Sequence, residues 1–246
     1  MKSRVLQALS AAVLCVLTSS VTSTDRAVAA PAEATNNVPR TAPVHMGVAG
    51  AIDFKAAEAA GVSADVLTLA MNAVSCATNS GDIAAPPTLT LIDYSRPSVE
   101  PRLWVFDLAT GRLLFKELVA HGRNTGENMS LHFSDDMNSR QSSIGLFVTD
   151  DTYIGSNGYS LRMNGLEPGF NARARERAIV MHGAPYVNAD MAAKQGRLGR
   201  SWGCPALREA VAHKIIDTVR GGGVIFSYYP DNNWLAQSRF LNCGRS

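Results

Sequence analysis

The sequence has little charge and few aromatic residues, and its cysteines and histidines are not clustered. Charged residues make up 18% of the 246 residues, aromatic residues make up 7%, and the formal net charge is +2. So small a charge gives no basic surface for a phosphate backbone, and we expect no nucleic acid partner. The five histidines and four cysteines show no metal-ligand spacing. We therefore expect no metal and no other cofactor.

The first thirty residues have the order of a secretory signal peptide. Lys2 and Arg4 form a basic start, residues 5–21 are mostly apolar, and residues 27–30 are small residues suited to cleavage. The apolar stretch is shorter than the roughly 20 apolar residues that a membrane span needs. We therefore predict a cleaved signal peptide over residues 1–30 rather than a retained anchor. The mature protein would be periplasmic or secreted, with no integral membrane domain.

Export changes what the cysteines indicate. Leu14 stands before Cys15, where a lipoprotein would have a small residue, so lipidation is the less favoured alternative. Cleavage would remove Cys15 and leave Cys76, Cys204 and Cys243. An oxidising compartment favours pairing, and an odd number of cysteines leaves one thiol over.

The chain after residue 30 divides by composition and periodicity. Residues 31–50 are rich in Ala, Pro, Val and Gly and are predicted to be a flexible linker. Residues 51–86 are predicted to form an N-terminal helical segment, in which Gly61 interrupts a short first helix. Ser63 is a candidate N-cap for a second helix, which residues 79–81 close.

From Thr88 onward the pattern is that of strands, in a domain predicted over residues 87–246. Residues 109–111 predict a hairpin turn, residues 121–142 a long loop, and Leu207 to Val219 have helical spacing. Further strands are predicted at 144–148, 159–163, 178–181 and 224–229. The fold class is therefore mainly β with α: a β-sandwich or barrel core with a C-terminal helix, preceded by short N-terminal helices.

The segment Ser201-Trp202-Gly203-Cys204-Pro205-Ala206 carries the clearest chemical signal. Proline is favoured at the first position of a helix, so Pro205 predicts that Cys204 is an N-cap. A helix dipole there would stabilise a thiolate and lower the pKa of Cys204. The N–H groups of Gly203 and Cys204 would form an oxyanion hole. The alternative is a buried structural cysteine or half of a disulfide.

A cysteine nucleophile needs a base, and two histidines have a suitable context. His182 ends an apolar run and precedes Gly183, which is typical of a side chain at a strand end that points into a cleft. His121 and Gly122 form a similar dipeptide. Spacing alone does not select His182 over His121.

Several segments together resemble the L,D-transpeptidase catalytic domain, over about residues 50–246. His182-Gly183, followed by Ser201-Trp202-Gly203-Cys204, resembles the signature of that family. Upstream segments resemble its strands and, in particular, the murein L,D-transpeptidase branch of Gram-negative bacteria; they comprise residues 93–95, 119–122, 142–147 and 159–165.

The resemblance implies a nucleophile, Cys204, and a base, His182, with Ser201 shaping the pocket and the N–H groups of Gly203 and Cys204 holding the oxyanion. Two positions depart from the wider family and bear on donor and acceptor preference. Trp202 stands where most members have His, and Ala206 where most have Arg. The candidate substrate-binding residues are Gly183, Trp202, Arg177 and Arg200.

The resemblance also implies the substrate, which is the peptide stem of peptidoglycan. A thioester on Cys204 would pass to an amine to give a 3→3 cross-link, or to water in an L,D-carboxypeptidase. The alternatives are another envelope cysteine peptidase or amidase, and a catalytically silent wall-binding module. With Cys204 assigned to catalysis, Cys76 and Cys243 remain, and we predict that they form a disulfide. The sequence does not indicate an oligomeric state.

Overall fold

The computed structural model describes residues 52–244. The predicted signal peptide and linker lie outside the described residues. The N-terminal helices are α1, Phe54–Ala59, and α2, Ala64–Asn79. The Ser63 side chain accepts a hydrogen bond from the Val66 N–H, which confirms the predicted N-cap.

Among the described residues, nine strands and three further helices follow α2. The strands are β1 Thr88–Asp93, β2 Leu103–Asp107, β3 Leu113–Glu117, β4 Val119–Ala120, β5 Gly145–Gly155, β6 Gly158–Gly165, β7 Val180–Gly183, β8 Ala206–Leu207 and β9 Val224–Tyr228. The helices are α3 Ala189–Gln195, α4 Glu209–Val219 and α5 Asn232–Gln237. Strands β2 and β3 pair antiparallel, which confirms the predicted hairpin. The mainly β fold class with a C-terminal helix is confirmed as well.

The nine strands form one sheet in the order β3-β2-β1-β9-β5-β6-β7-β8-β4. Its two ends, β3 and β4, are separated in the chain by Leu118 alone. A sheet whose opposite ends are joined by one residue has to curl back on itself, so it forms a nearly closed barrel. The sequence did not predict β4 and β8 as strands, because two-residue strands have no periodicity to detect.

Each face of the sheet buries a separate apolar cluster. Alternate residues of β2 show this: Trp104 and Phe106 pack in one cluster, and Leu103 and Val105 in the other. The first cluster packs the sheet against α2, so the N-terminal helices share a core with the strands. The second packs the other face of the sheet against α4, whose Ala212, Ile215, Ile216 and Val219 have helical spacing.

A disulfide between Cys76 and Cys243 joins α2 to the segment after α5, as predicted. The Cα atoms are 6.1 Å apart, within the range that a disulfide spans. The two cysteines are 167 residues apart in sequence, so the bond encloses most of the described chain.

Replacing both Cys76 and Cys243 by alanine is expected to lower the free energy of unfolding by about 2–5 kcal/mol, because the unfolded chain loses a constraint. Urea denaturation followed by circular dichroism measures the change. The Cys204→Ala protein is the matched control, since it lacks one cysteine but keeps the disulfide. Equal midpoints for the double variant and the oxidised wild type would contradict this expectation.

Candidate active site

Cys204 lies in the turn just before β8, and it is a free, buried thiol with 7% of its surface exposed. The Sγ atom lies 3.7 Å from the Ala178 carbonyl oxygen, to which the thiol donates. The N–H groups of Val180 and of Cys204 itself are directed at the sulfur and favour its thiolate. The thiol is therefore enclosed by backbone groups on the side of β7.

The prediction of a helix N-terminus at Cys204 is wrong. Helix α4 begins only at Glu209, and the residues after Pro205 form β8, which pairs with β7 and β4. Leu207 accordingly belongs to a strand and not to the helix. Without a helix dipole, burial dominates and raises the pKa of Cys204, partly offset by the Val180 N–H and the positive charge of Arg177. The acidic thiol expected from the sequence is not what the structure favours.

His182 lies in β7 beside the strand that follows Cys204. In the parallel pairing of β7 with β8, His182 is opposite Ala206, one strand spacing of about 4.8 Å away. Its Nδ1 is 2.8 Å from the Gly183 carbonyl oxygen. A carbonyl only accepts, so Nδ1 carries the proton and Nε2 keeps its lone pair. Burial lowers the pKa of His182, so the ring is neutral at pH 7 and is a proton acceptor.

The Ser201 hydroxyl shapes the turn that presents Cys204. It donates to the Cys204 carbonyl at 2.7 Å and accepts from the Gly203 N–H at 3.0 Å. The Gly203 N–H, which we expected in an oxyanion hole, is therefore engaged inside the turn. Gly203 has a φ of 128°, and a Cβ there would lie 2.7 Å from the Ile179 Cδ1 atom, so only glycine suits this position.

Two further segments, which contain Gly122 and Ser142, contact the turn at Gly203. A Cβ on Gly122 would lie 2.9 Å from the Gly203 Cα, so the two backbones are in direct contact. The Ser142 hydroxyl donates to the Gly203 carbonyl at 3.0 Å and accepts from the Gly122 N–H at 2.9 Å. The sequence reasoning gave Ser142 no role of its own, although it begins one of the segments that resemble the family.

The structure distinguishes His121 from His182. The buried Arg102 guanidinium donates to the His121 Nδ1 at 2.7 Å, so Nε2 carries the proton and donates to the Gly126 carbonyl at 3.2 Å. Both ring nitrogens are thus occupied. Burial and the charge of Arg102 lower the pKa of His121 to about 3. His121 is a structural, neutral side chain, which leaves His182 as the candidate base.

Three of the candidate substrate-binding residues are engaged within the protein. Gly183 packs against α4, where a Cβ would lie 3.0 Å from the Ala212 Cβ. Arg200 donates to the Arg123 and Gly126 carbonyls and to Glu127. Arg177 has a side chain only 3% exposed, and it donates to four oxygens of one loop. These residues were chosen because they lie near a motif in the sequence. That position does not show whether a side chain contacts a ligand or another part of the protein.

Trp202 is the candidate that faces solvent. Its side chain is 69% exposed, and the Arg140 guanidinium lies over the indole, 4.7 Å from the ring centroid. Both line a cleft of about 530 Å³, together with Asn124, Met137, Asn138, Glu176, Arg177 and Ala178. Ala178 connects this cleft to the thiol, because its carbonyl accepts the Cys204 S–H. A larger cleft of about 770 Å³ near the start of α2 contains none of the predicted site residues.

No group of three or more His, Cys, Asp or Glu side chains among residues 52–244 is arranged to hold a metal ion. No helix within the same residues is both long and apolar enough to span a membrane.

Comparison with known families identifies the family of this chain. The sequence profile of the L,D-transpeptidase catalytic domain matches residues 58–228, which is more than half of the chain. The protein therefore belongs to the L,D-transpeptidase family. None of the curated proteins matches the sequence significantly.

Solved structures similar to this chain are L,D-transpeptidases of low identity. One from Mycobacterium smegmatis is 15% identical with a TM-score of 0.38, and the match covers 58% of this chain and 59% of that one. One from Stackebrandtia nassauensis is 14% identical with a TM-score of 0.37, over 72% and 75% of the two chains. The match thus spans about three fifths of the mycobacterial chain, and family membership rests on the sequence profile.

Stability should fall as the pH drops from about 6.5 towards 3, in part because of His121. The unfolded chain binds a proton at an ordinary histidine in this window, whereas the folded His121, with a pKa of about 3, does not. The free energy of unfolding therefore decreases by up to about 1.4 kcal/mol per pH unit from this group. Urea titrations at several pH values should show a shallower acid slope for His121→Gln than for wild type. His132→Gln, in an exposed loop, is the control, and an equal slope in both variants would refute the assignment.

Proposed function

We propose that this protein is an exported peptidoglycan L,D-transpeptidase that joins two peptide stems through a thioester on Cys204. The observation that carries the proposal is the Cys204 thiol, which is the only free cysteine among residues 52–244. Backbone N–H groups are directed at its sulfur, and the neutral imidazole of His182 lies on β7, the strand that pairs with the strand following Cys204. The partner is the peptidoglycan stem peptide, and the location is the cell envelope.

The first half of the reaction needs a thiolate. Burial keeps the Cys204 thiol and the His182 imidazole neutral, so His182 acts as a general base and not as half of a resting ion pair. The Cys204 S–H donates to the Ala178 carbonyl in the resting structure. Rotation of the Cys204 side chain therefore precedes proton transfer to Nε2 of His182.

The sulfur then attacks the carbonyl carbon of the donor stem and forms a tetrahedral oxyanion. The Gly203 N–H is bonded to Ser201, and the Cys204 N–H is directed at its own sulfur in the resting structure. Rotation of the Cys204 side chain releases the Cys204 N–H, which we assign as the donor to this oxyanion. The oxyanion collapses, the bond to the terminal D-amino acid breaks, and protonated His182 gives its proton to the leaving amine. An amine of a second stem attacks the thioester, His182 takes its proton, and the Cys204 thiol is regenerated.

Incubation with disaccharide-tetrapeptide should add one acyl group to the wild-type protein, because the thioester precedes acceptor attack. Intact-protein mass spectrometry detects this adduct, and Cys204→Ala should show none. His182→Gln should slow adduct formation by roughly 10²–10⁴-fold through loss of the base. Circular dichroism of both variants serves as the folding control.

Product analysis at increasing acceptor concentration separates the alternatives. A transpeptidase makes more 3→3 dimer and less tripeptide as acceptor rises, since amine and water compete for one thioester. Tripeptide alone at every acceptor concentration would indicate an L,D-carboxypeptidase. Cleavage at other bonds would indicate another cysteine peptidase or amidase, and neither adduct nor turnover would leave a wall-binding module.

Trp202→Ala should raise KM for the stem substrate by roughly tenfold and leave the pH profile of acylation unchanged. The indole and Arg140 line a cleft whose wall includes Ala178, and the Cys204 thiol donates to the Ala178 carbonyl and not to either of these side chains. An exposed aromatic wall of this kind contributes about 1–2 kcal/mol to binding. Leu131→Ala, another exposed apolar residue, is the control. A loss confined to kcat would contradict a binding role.

A further inference from the structure

Arg177 is buried near the reaction centre without contacting it, and its contacts converge on one loop. Nη1 donates to the Ser134 carbonyl and the Ser143 hydroxyl, each at 2.6 Å. Nη2 donates to the Ser139 hydroxyl at 3.0 Å and the Gln141 carbonyl at 2.6 Å. One guanidinium therefore fixes four points of the loop formed by residues 134–143.

This loop supports the turn that carries the thiol. The Gln141 carbonyl oxygen lies 2.8 Å from where a Cβ of Gly203 would be, and Ser142 donates to the Gly203 carbonyl. The residue after Arg177 is Ala178, whose φ of 53° is rare for a residue with a side chain. Its carbonyl accepts the Cys204 S–H. Arg177 thus connects two of the segments that enclose the sulfur.

The charge of Arg177 is only partly balanced. The Asp135 Oδ1 atom lies 3.8 Å from Nη1, and both Asp135 oxygens also accept from the Arg173 N–H, at 3.1 and 3.0 Å. Arg177 is the cation that acts on the Cys204 thiol electrostatically. The other titratable groups that interact with the Cys204 sulfur are the phenols of Tyr94 and Tyr186, which remain uncharged at neutral pH. His182, which is neutral, lies on the adjacent strand β7.

We propose that Arg177 is a positioning residue for the reaction at Cys204. Its four hydrogen bonds fix residues 134–143 against the Gly203-Cys204 turn. Its buried positive charge stabilises the negative charge that develops on the Cys204 sulfur. The inference rests on the proposed function for its meaning in catalysis. The behaviour of the thiol that it predicts can nevertheless be measured without any peptidoglycan substrate.

The sharpest test compares substitutions at Arg177 and Asp135, which should act in opposite directions. Removing the cation in Arg177→Gln should shift the pH midpoint of Cys204 alkylation by iodoacetamide upward. Alkylation at neutral pH should then slow roughly tenfold, the size expected for loss of a nearby opposite charge. Asp135→Asn removes the counter-charge and should shift the midpoint downward. A purely structural role would not give opposite signs.

Three further measurements keep the test decisive. Arg175→Gln removes an exposed arginine of the same turn and should leave the midpoint unchanged. Arg177→Lys keeps the charge but loses the guanidinium hydrogen bonds to residues 134–143. The pH midpoint of alkylation should therefore stay near that of wild type while kcat falls. If Arg177→Gln does not fold, as judged by circular dichroism, Asp135→Asn and Arg177→Lys still carry the comparison. Thiolate ultraviolet absorbance, corrected with Cys204→Ala, gives the midpoint independently of reagent access.

Midpoints that move together, or not at all, in Arg177→Gln and Asp135→Asn would overturn the inference. If Arg177→Gln does not fold, an unchanged pH midpoint of alkylation in Asp135→Asn would likewise overturn the inference. Failure of the proposed function is distinguishable, because it would show as absent muropeptide turnover in the wild type while the alkylation midpoints still move in opposite directions.

Discussion

The site depends on the contact between the backbones of Gly122 and Gly203. A Cβ on Gly122 would be 2.9 Å from the Gly203 Cα, and one on Gly203 would be 2.8 Å from the Gln141 carbonyl oxygen. Side chains at these positions would push the segments apart, so both must be glycine. The close approach lets Ser142 bridge the Gly122 N–H and the Gly203 carbonyl with one hydroxyl. The turn that carries Cys204 is thereby held by the contact between the two glycine backbones and by the Ser142 and Ser201 hydroxyls.

The fold brings these segments together from distant parts of the chain. Residues 122, 142 and 203 meet because the sheet curls until its ends are joined through Leu118. Strand β8 is only two residues long, yet it pairs with β7 on one side and β4 on the other. It therefore fixes the turn before it relative to His182. Most of the buried apolar side chains belong to the two clusters, one on each face of the sheet. The candidate site lies outside both clusters.

Buried polar groups near the site are satisfied by directed hydrogen bonds. Arg102 is completely buried and donates to the Val119 and Arg96 carbonyls, to Ser130 and to His121. Burial lowers the pKa of Arg102 to about 10, which still leaves it charged at pH 7. A buried charge without partners would cost several kcal/mol, so breaking the hydrogen bonds of Arg102 is unfavourable. The network of these hydrogen bonds is therefore rigid. A rigid support suits a site whose geometry has to be fixed before substrate binds.

Much of the local structure could be predicted because its cause is local. The β2–β3 hairpin follows from its turn residues, α2 from its N-cap and apolar spacing, and the disulfide from the count of cysteines. Helices α3 and α5, of seven and six residues, were not predicted, because helices so short give little periodicity, whereas the equally short α1 was predicted as part of the longer helical segment over residues 51–86. Pro205 misled the prediction at Cys204, since proline fixes φ alone and is compatible with an extended chain as well as with a helix.

The sequence by itself identified Cys204 as the candidate nucleophile, two histidines as candidate bases, and a resemblance to a family signature that includes Cys204 and His182. Only the tertiary structure decided which of two histidines keeps a free nitrogen, because the partner of His121 is an arginine 19 residues away that folding buries beside it. It likewise decided that Arg177 and Arg200 bond to the protein itself while Trp202 faces the cleft. Those outcomes depend on long-range packing and desolvation, which neighbouring residues in the chain do not specify.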